Sequence, residues 1–228
     1  MDVLSLGGEL LGFALAIGFS PLHIALLLLL LLGPDPLRRG GWLVAAWCLT
    51  SALMLVLLVG VGHSFLLTME RGSHHRTGLD LLAAGALLAL ALNELLKREE
   101  DGTPPAWSQR IDALGSQPLL PLLGLSTLIQ VASPDDLFLY AKASASILSA
   151  NLRRWPELLT GGGFALLSSL LLLLPLLAVV LLGRERALPA LERLRGWIFA
   201  RGDLLVGLVS LALAVYLGWQ GIDGLRLA

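Results

Sequence analysis

The sequence predicts an all-α integral membrane protein: six transmembrane helices as two inverted three-helix repeats, with broken first and fourth helices. Three observations predict it. The chain has 228 residues, of which 56% are hydrophobic and 14% charged, with a mean hydropathy of +0.81; a soluble core of this size cannot hide so much apolar surface. Charged or Pro/Gly-rich connections divide it into six apolar runs. A Ser-Pro pair interrupts two of those runs, Ser20-Pro21 and Ser133-Pro134, at an offset of 113 residues.

The first run, residues 3–32, is too long for one ordinary crossing, since about 20 apolar residues span the hydrocarbon core. Proline removes a backbone donor and clashes with the preceding turn, so a break is expected at Ser20-Pro21. The second and third spans fall at 42–67 and 79–96. The fourth, 119–150, repeats the over-length pattern around Ser133-Pro134. The fifth and sixth fall at 158–182 and 204–225. The breakers between them are Gly33-Pro34-Asp35-Pro36, the charged run 70–76, and the segments 97–117, 151–157 and 184–203.

The domain reading follows: 1–96 is the first three-helix repeat, 97–117 a cytoplasmic connection and 118–228 the second repeat. Trp42 and Trp155 share the 113-residue offset, and Arg38-Arg39 and Arg153-Arg154 each precede a Trp. Three crossings per half invert the second copy relative to the first. Connections opposite the termini carry 10 Lys and Arg, those on the terminal side 5, and Lys142 lies within a span. The positive-inside rule therefore places both termini outside the cytoplasm. The N-terminus lacks a positive leading region, so no cleaved signal peptide is expected.

Two connections have their own pattern. Between Arg184 and Arg201, Leu188, Leu191, Leu194 and Ile198 recur at helical spacing among arginines. That suits a helix in the headgroup layer, whereas Pro189 and Gly196 suit a solvated linker. Pro104-Pro105 stops the third span and is followed by a short amphipathic piece, 107–114.

The Ser-Pro breaks carry the candidate site. Serine is a good N-cap and proline suits the first helical position, so each pair ends one half-helix and starts another. The new N-termini point unsatisfied N–H groups and a positive dipole end toward the membrane interior. His23 is the third residue after the first break's serine, and Asp136, beside Asp135, is the third after the second. Ionisable groups at such depth are costly and usually face a cavity or a partner; the plainer reading is a proline kink whose acids cap a helix. Lys142 lies two turns beyond Asp135 on the same face and either snorkels or pairs with an acid. Gln130 and Tyr140 flank the second break as candidate lining.

Other polar residues invite simpler readings. Asp80 and Asp203 are expected to cap the third and sixth spans. Asn93-Glu94 fits an interfacial pair with Lys97 and Arg98, and His63 sits at the edge of the second span. Glu70, His74 and His75 lack defined ligand spacing, so no metal is expected. Gly161-Gly162-Gly163 permits close packing or a bend. Cys48 is the only cysteine, which leaves no disulfide or thiolate cluster. No Walker A, dinucleotide or nucleophile-elbow motif is present, nor a basic patch with interleaved aromatics, so neither an enzyme nor a nucleic-acid binder is expected.

Four segments resemble the GAP-like family of peptidoglycolipid- and sulfolipid-addressing proteins, in the lysine-exporter superfamily. They are A-I-G-F-S-P-L-H-I at 16–24, P-x-W-x-x-x-I-D-x-L at 105–114, the Pro-centred segment 130–144 and Y-L-G-W-Q-G-I-D-G-L at 216–225. The family's second motif commonly reads N-P-K-N, and here it reads S-P-D-D at 133–136, two acids replacing a basic residue. The related thiol-reducing proteins carry a cysteine in each broken helix, and Cys48 lies in the second span instead. The resemblance implies a secondary transporter or flippase for a lipid-linked or amphipathic solute at the bacterial inner membrane. Its site would comprise Ser20, Pro21, His23, Gln130, Ser133, Pro134, Asp135, Asp136, Tyr140 and Lys142. The partners expected are membrane lipids, that solute and a second copy in a homodimer, with no cofactor and no nucleic acid. The S-P-D-D acids favour a rival, export of a cation or cationic amino acid. A third reading is a non-transporting scaffold for a lipid-processing complex.

Overall fold

The computed structural model describes residues 3–64, 73–96, 111 and 115–227, with side chains at 3, 4 and 203 excepted. Among these residues all regular structure is helical: α1 Val3–Gly18, α2 Pro21–Leu32, α3 Pro36–Ser64, α4 His74–Leu96, α5 Leu119–Ala132, α6 Pro134–Ser149, α7 Arg154–Ser168, α8 Leu170–Leu182 and α9 Arg184–Leu227. Three helices are long and apolar enough to cross a membrane: α3, α4 and the Leu204–Leu227 part of α9. Two bent pairs qualify when each is counted as one span: α1–α2, bent by 59°, and α7–α8, bent by 64°. The chain is a multi-pass membrane protein.

Both Ser-Pro pairs break the helix. Ser20 (φ −102°, ψ 102°) and Ser133 (φ −71°, ψ 115°) are extended, and Pro21 and Pro134 open the next helix. Each new helix then reaches a turn through a left-handed residue, Asp35 (φ 53°) after α2 and Asn151 (φ 50°) after α6. Asp and Asn are the non-glycine residues that tolerate this conformation best. The two halves thus share break, half-helix and turn.

The bend in the fifth apolar run falls at Ser168-Ser169 and not at the glycine triplet 161–163. Both serine hydroxyls donate to the carbonyl of Ala165, at 2.9 and 2.7 Å, a back-bonding that loosens a helix. The Leu172 amide bonds Ser169 instead of Ser168, which takes the Ser168 carbonyl out of the ladder. Trp47 Nε1 donates to that carbonyl at 3.2 Å, satisfying a buried acceptor. Gly18 ends α1 against the same atom: a Cβ there would lie 2.6 Å from the Ser168 oxygen. Only glycine allows so close a backbone approach.

Helix α9 packs along α4 through its own glycines. A Cβ at Gly207 would meet Leu95, one at Gly221 would lie 2.6 Å from Leu81, and one at Gly224 would lie 2.5 Å from the Thr77 hydroxyl. Small residues at such spacing let two membrane helices close on each other. The 44 residues of α9 extend about 66 Å at 1.5 Å per residue, so its first half is surplus to a crossing. That half is helical as the periodicity suggested, with Leu191 and Ile198 buried and Arg193 and Arg201 exposed. It runs on through position 203 without a new start, which corrects the capping role expected of Asp203. Asp80 is corrected likewise, because α4 begins at His74 and places Asp80 in its second turn.

Polar contacts mark the two ends of the bundle. At one, Arg184 donates to the carbonyls of Leu32 and Gly33, and Arg39 to that of Gln117. At the other, Arg76 meets Ser149, Gln220 reaches Glu9, and His63 bonds Glu157 at 3.0 Å.

Candidate functional site

The two breaks meet in one cavity of about 70 Å³. Ser20 and Pro21 line it from the first break, and Ser133, Asp135 and Asp136 from the second. Leu87 of α4 and Val206, Val209 and Ser210 of α9 are also part of the wall. Asp136 is buried and Asp135 half-buried in the first turn of α6, where the positive end of the helix dipole favours a carboxylate. The Ser133 hydroxyl donates to Asp135. Neither acid forms an ion pair among the described residues. Pro134 is exposed beside the cavity.

His23 is buried behind that wall. Its Nδ1 shares a hydrogen bond with Ser20 Oγ at 2.8 Å, and its Nε2–H donates to the Ser126 carbonyl at 3.2 Å. The Trp47 ring stands against the imidazole at 4.4 Å between centroids. His23 therefore ties α2 to α5 and does not line the cavity. Gln130 and Tyr140 join each other across the second break: Gln130 Nε2 donates to Tyr140 Oη at 2.9 Å and to Ser51 Oγ at 3.0 Å. Ser51 and Tyr140 close the triangle at 2.7 Å, binding α3, α5 and α6 together.

Lys142 turns away from the acids of its own helix. It is fully buried and pairs with Asp80 of α4. Next to this pair, Glu9 of α1 meets Arg76 of α4 at 3.5 Å and accepts from Ser146 of α6 at 2.8 Å. Glu9, Arg76, Asp80 and Lys142 are all buried, an arrangement of two acids and two cations with no net formal charge. Sequence reasoning singled out only Lys142. The available signal was Arg76 and Asp80, opposite charges at i and i+4 in an apolar helix, together with Glu9 inside the first apolar run.

The remaining sites are peripheral. His74 and His75 open α4, Glu70 lies outside the described residues, and no group of metal-ligating side chains occurs among the described residues. Asn93 bonds Glu94 at 3.1 Å; Lys97, Arg98 and most of 107–114 lie outside the described residues.

No curated protein and no solved structure matches the chain. A family described as Sap, sulfolipid-1-addressing protein, matches over residues 10–223, which takes in both breaks and the cavity between them, with Arg76, Asp80 and Lys142 of the buried charges. The chain belongs to the sulfolipid-1-addressing protein family.

Proposed function

We propose that the protein is a secondary transporter or flippase that moves a lipid-linked or amphipathic solute across the bacterial inner membrane. The observation that carries the reading is that both Ser-Pro breaks and two carboxyl groups line one cavity. Broken helices with half-helix N-termini at a repeat interface are a recurring way to build a transport site. The family description, with its sulfolipid, supports a lipid substrate. The inverted repeat of six crossings is supported by the matched breaks and left-handed turns and by the contacts at the two ends of the bundle. In this reading α5–α6 is a crossing although its three charged residues make it less apolar than the other pairs. The solute is moved and not chemically altered, and rocking one repeat against the other exposes the cavity to each side in turn.

The test is reconstitution. In liposomes carrying a fluorescent short-chain glycolipid, the protein should speed movement of the label between leaflets beyond that of protein-free liposomes. Mass spectrometry of lipids retained by the purified protein should show an enriched species. No acceleration and no retained lipid would favour a scaffold.

A second reading has its own observation. The cavity wall holds Asp135 and Asp136 and no basic residue, which suits a cationic solute. Efflux of radiolabelled lysine from the same liposomes, in place of glycolipid movement, would establish that reading.

A further inference from the structure

A second cavity, of about 250 Å³, opens at the end of the bundle where α4 begins and α9 ends. Arg76, Thr77 and Asp80 line one side, and Tyr216, Gln220 and Asp223 the other. Asp80 therefore has two faces, one toward fully buried Lys142 and one toward this cavity. Desolvated charges cost most when their surroundings offer nothing polar, and this carboxylate instead borders a space that polar side chains line. Trp219 and Leu227 join these polar groups in the lining.

Thr77 gives the second, independent observation. It is 5% exposed and lines the same cavity, and its hydroxyl is without a hydrogen-bond partner among the described residues. A buried hydroxyl left unpaired costs about 1–3 kcal/mol, and a polar space of this size is roomy enough for several waters. Water in the cavity would satisfy Thr77 and reach the Asp80 carboxylate one helical turn further in.

We infer that this cavity is a hydrated vestibule ending at the Asp80–Lys142 pair, and that the pair takes up and releases a proton from that side of the membrane. A proton from a hydronium in the vestibule bonds to a carboxylate oxygen of Asp80, leaving water. The neutral acid no longer holds the Lys142 ammonium, and α6, which carries both Lys142 and the acids of the break cavity, loses its charged tie to α4 while the Arg76–Ser149 contact remains. The reverse step restores the pair. The charged and titratable groups around Asp80 are Arg76 on its own helix, Glu9 on α1 and Lys142 on α6, with Asp223 and Tyr216 facing the same vestibule from α9. This inference rests on the transporter reading for its purpose, since it supplies that machine with a coupling proton.

The test uses the full chain in liposomes with no transported solute, so absence of lipid movement would count against the transporter reading and leave this result standing. In a Cys48→Ala background, Thr77→Cys should react with a membrane-impermeant thiol reagent at a rate close to that of Ser5→Cys, and from the same side. Infrared spectra over a pH series should contain a protonated-carboxyl band that is lost in Asp80→Asn/Lys142→Gln. That double variant removes both charges and so avoids the misfolding expected from a single buried, unpaired one. An unreactive Thr77→Cys in folded protein, or carboxyl bands identical in the wild type and the double variant, would overturn the inference.

Discussion

Lys142 shows how burial assigns a partner that spacing alone does not. Seven residues after Asp135, it shares a helix face with that acid, yet it pairs with Asp80 on another helix. The reason is geometric: α6 buries that face against α4, and an ammonium in a membrane protein takes the carboxylate that shares its desolvated position. Removing one partner strands the other, so Lys142→Met should lower stability by about 3–5 kcal/mol. Asp80→Leu/Lys142→Met should recover most of that loss, measured by denaturation in detergent. His23 was a candidate for charge, but both its ring nitrogens are taken, by Ser20 and Ser126. Its replacement by alanine is expected to cost about 1–3 kcal/mol by stranding a buried carbonyl. The Asp pair behaves differently. If Asp135 and Asp136 only cap α6, asparagine should serve as well; on the transport reading, Asp136→Asn abolishes movement of solute while the protein stays folded.

At the scale of elements, the two serine-proline breaks were legible because proline's lost donor is a local fact that context cannot restore. The bend between α7 and α8 was not legible, because it depends on where an unladdered carbonyl finds a donor. Ser168 finds Trp47 on α3, 121 residues away in sequence, and no local pattern announces that. Trp47→Phe should therefore destabilise the fold by about 1–3 kcal/mol through the unpaired Ser168 carbonyl, more than the change in side-chain size alone explains. Gly18→Ala places a methyl against the same oxygen and should cost about 1–3 kcal/mol through overpacking. Thermal melts of both variants in detergent test this, and wild-type stability in either would contradict the role given to the contact. Gly221 and Gly224 fall in the 216–225 segment, and the physical reason for small residues there is the close approach of α4.

For the whole molecule, composition made a helical membrane protein legible at once, since so apolar a chain has no soluble alternative. The candidate site was legible in half: Ser20, Pro21, Ser133, Asp135 and Asp136 come together, while Arg76 and Asp80 read as loop and cap, although α1, α4 and α6 converge there around Glu9. Orientation rests on the 10 and 5 basic residues of the two sides, and both termini should lie away from the cytoplasm. Cysteine tagging at Ser5 and Leu227 in a Cys48→Ala background should label from the non-cytoplasmic face, and labelling only from the cytoplasm would reverse the topology. On the transport reading, the cavity between the breaks moves an amphipathic solute by means of its acids. This is tested most directly by the rate of fluorescent glycolipid movement between leaflets, compared among wild-type liposomes, Asp135→Asn/Asp136→Asn liposomes and protein-free liposomes. The wild type should be fast and the double variant no faster than bare lipid, with both proteins equally folded. Equal rates for wild type and the double variant would contradict the reading.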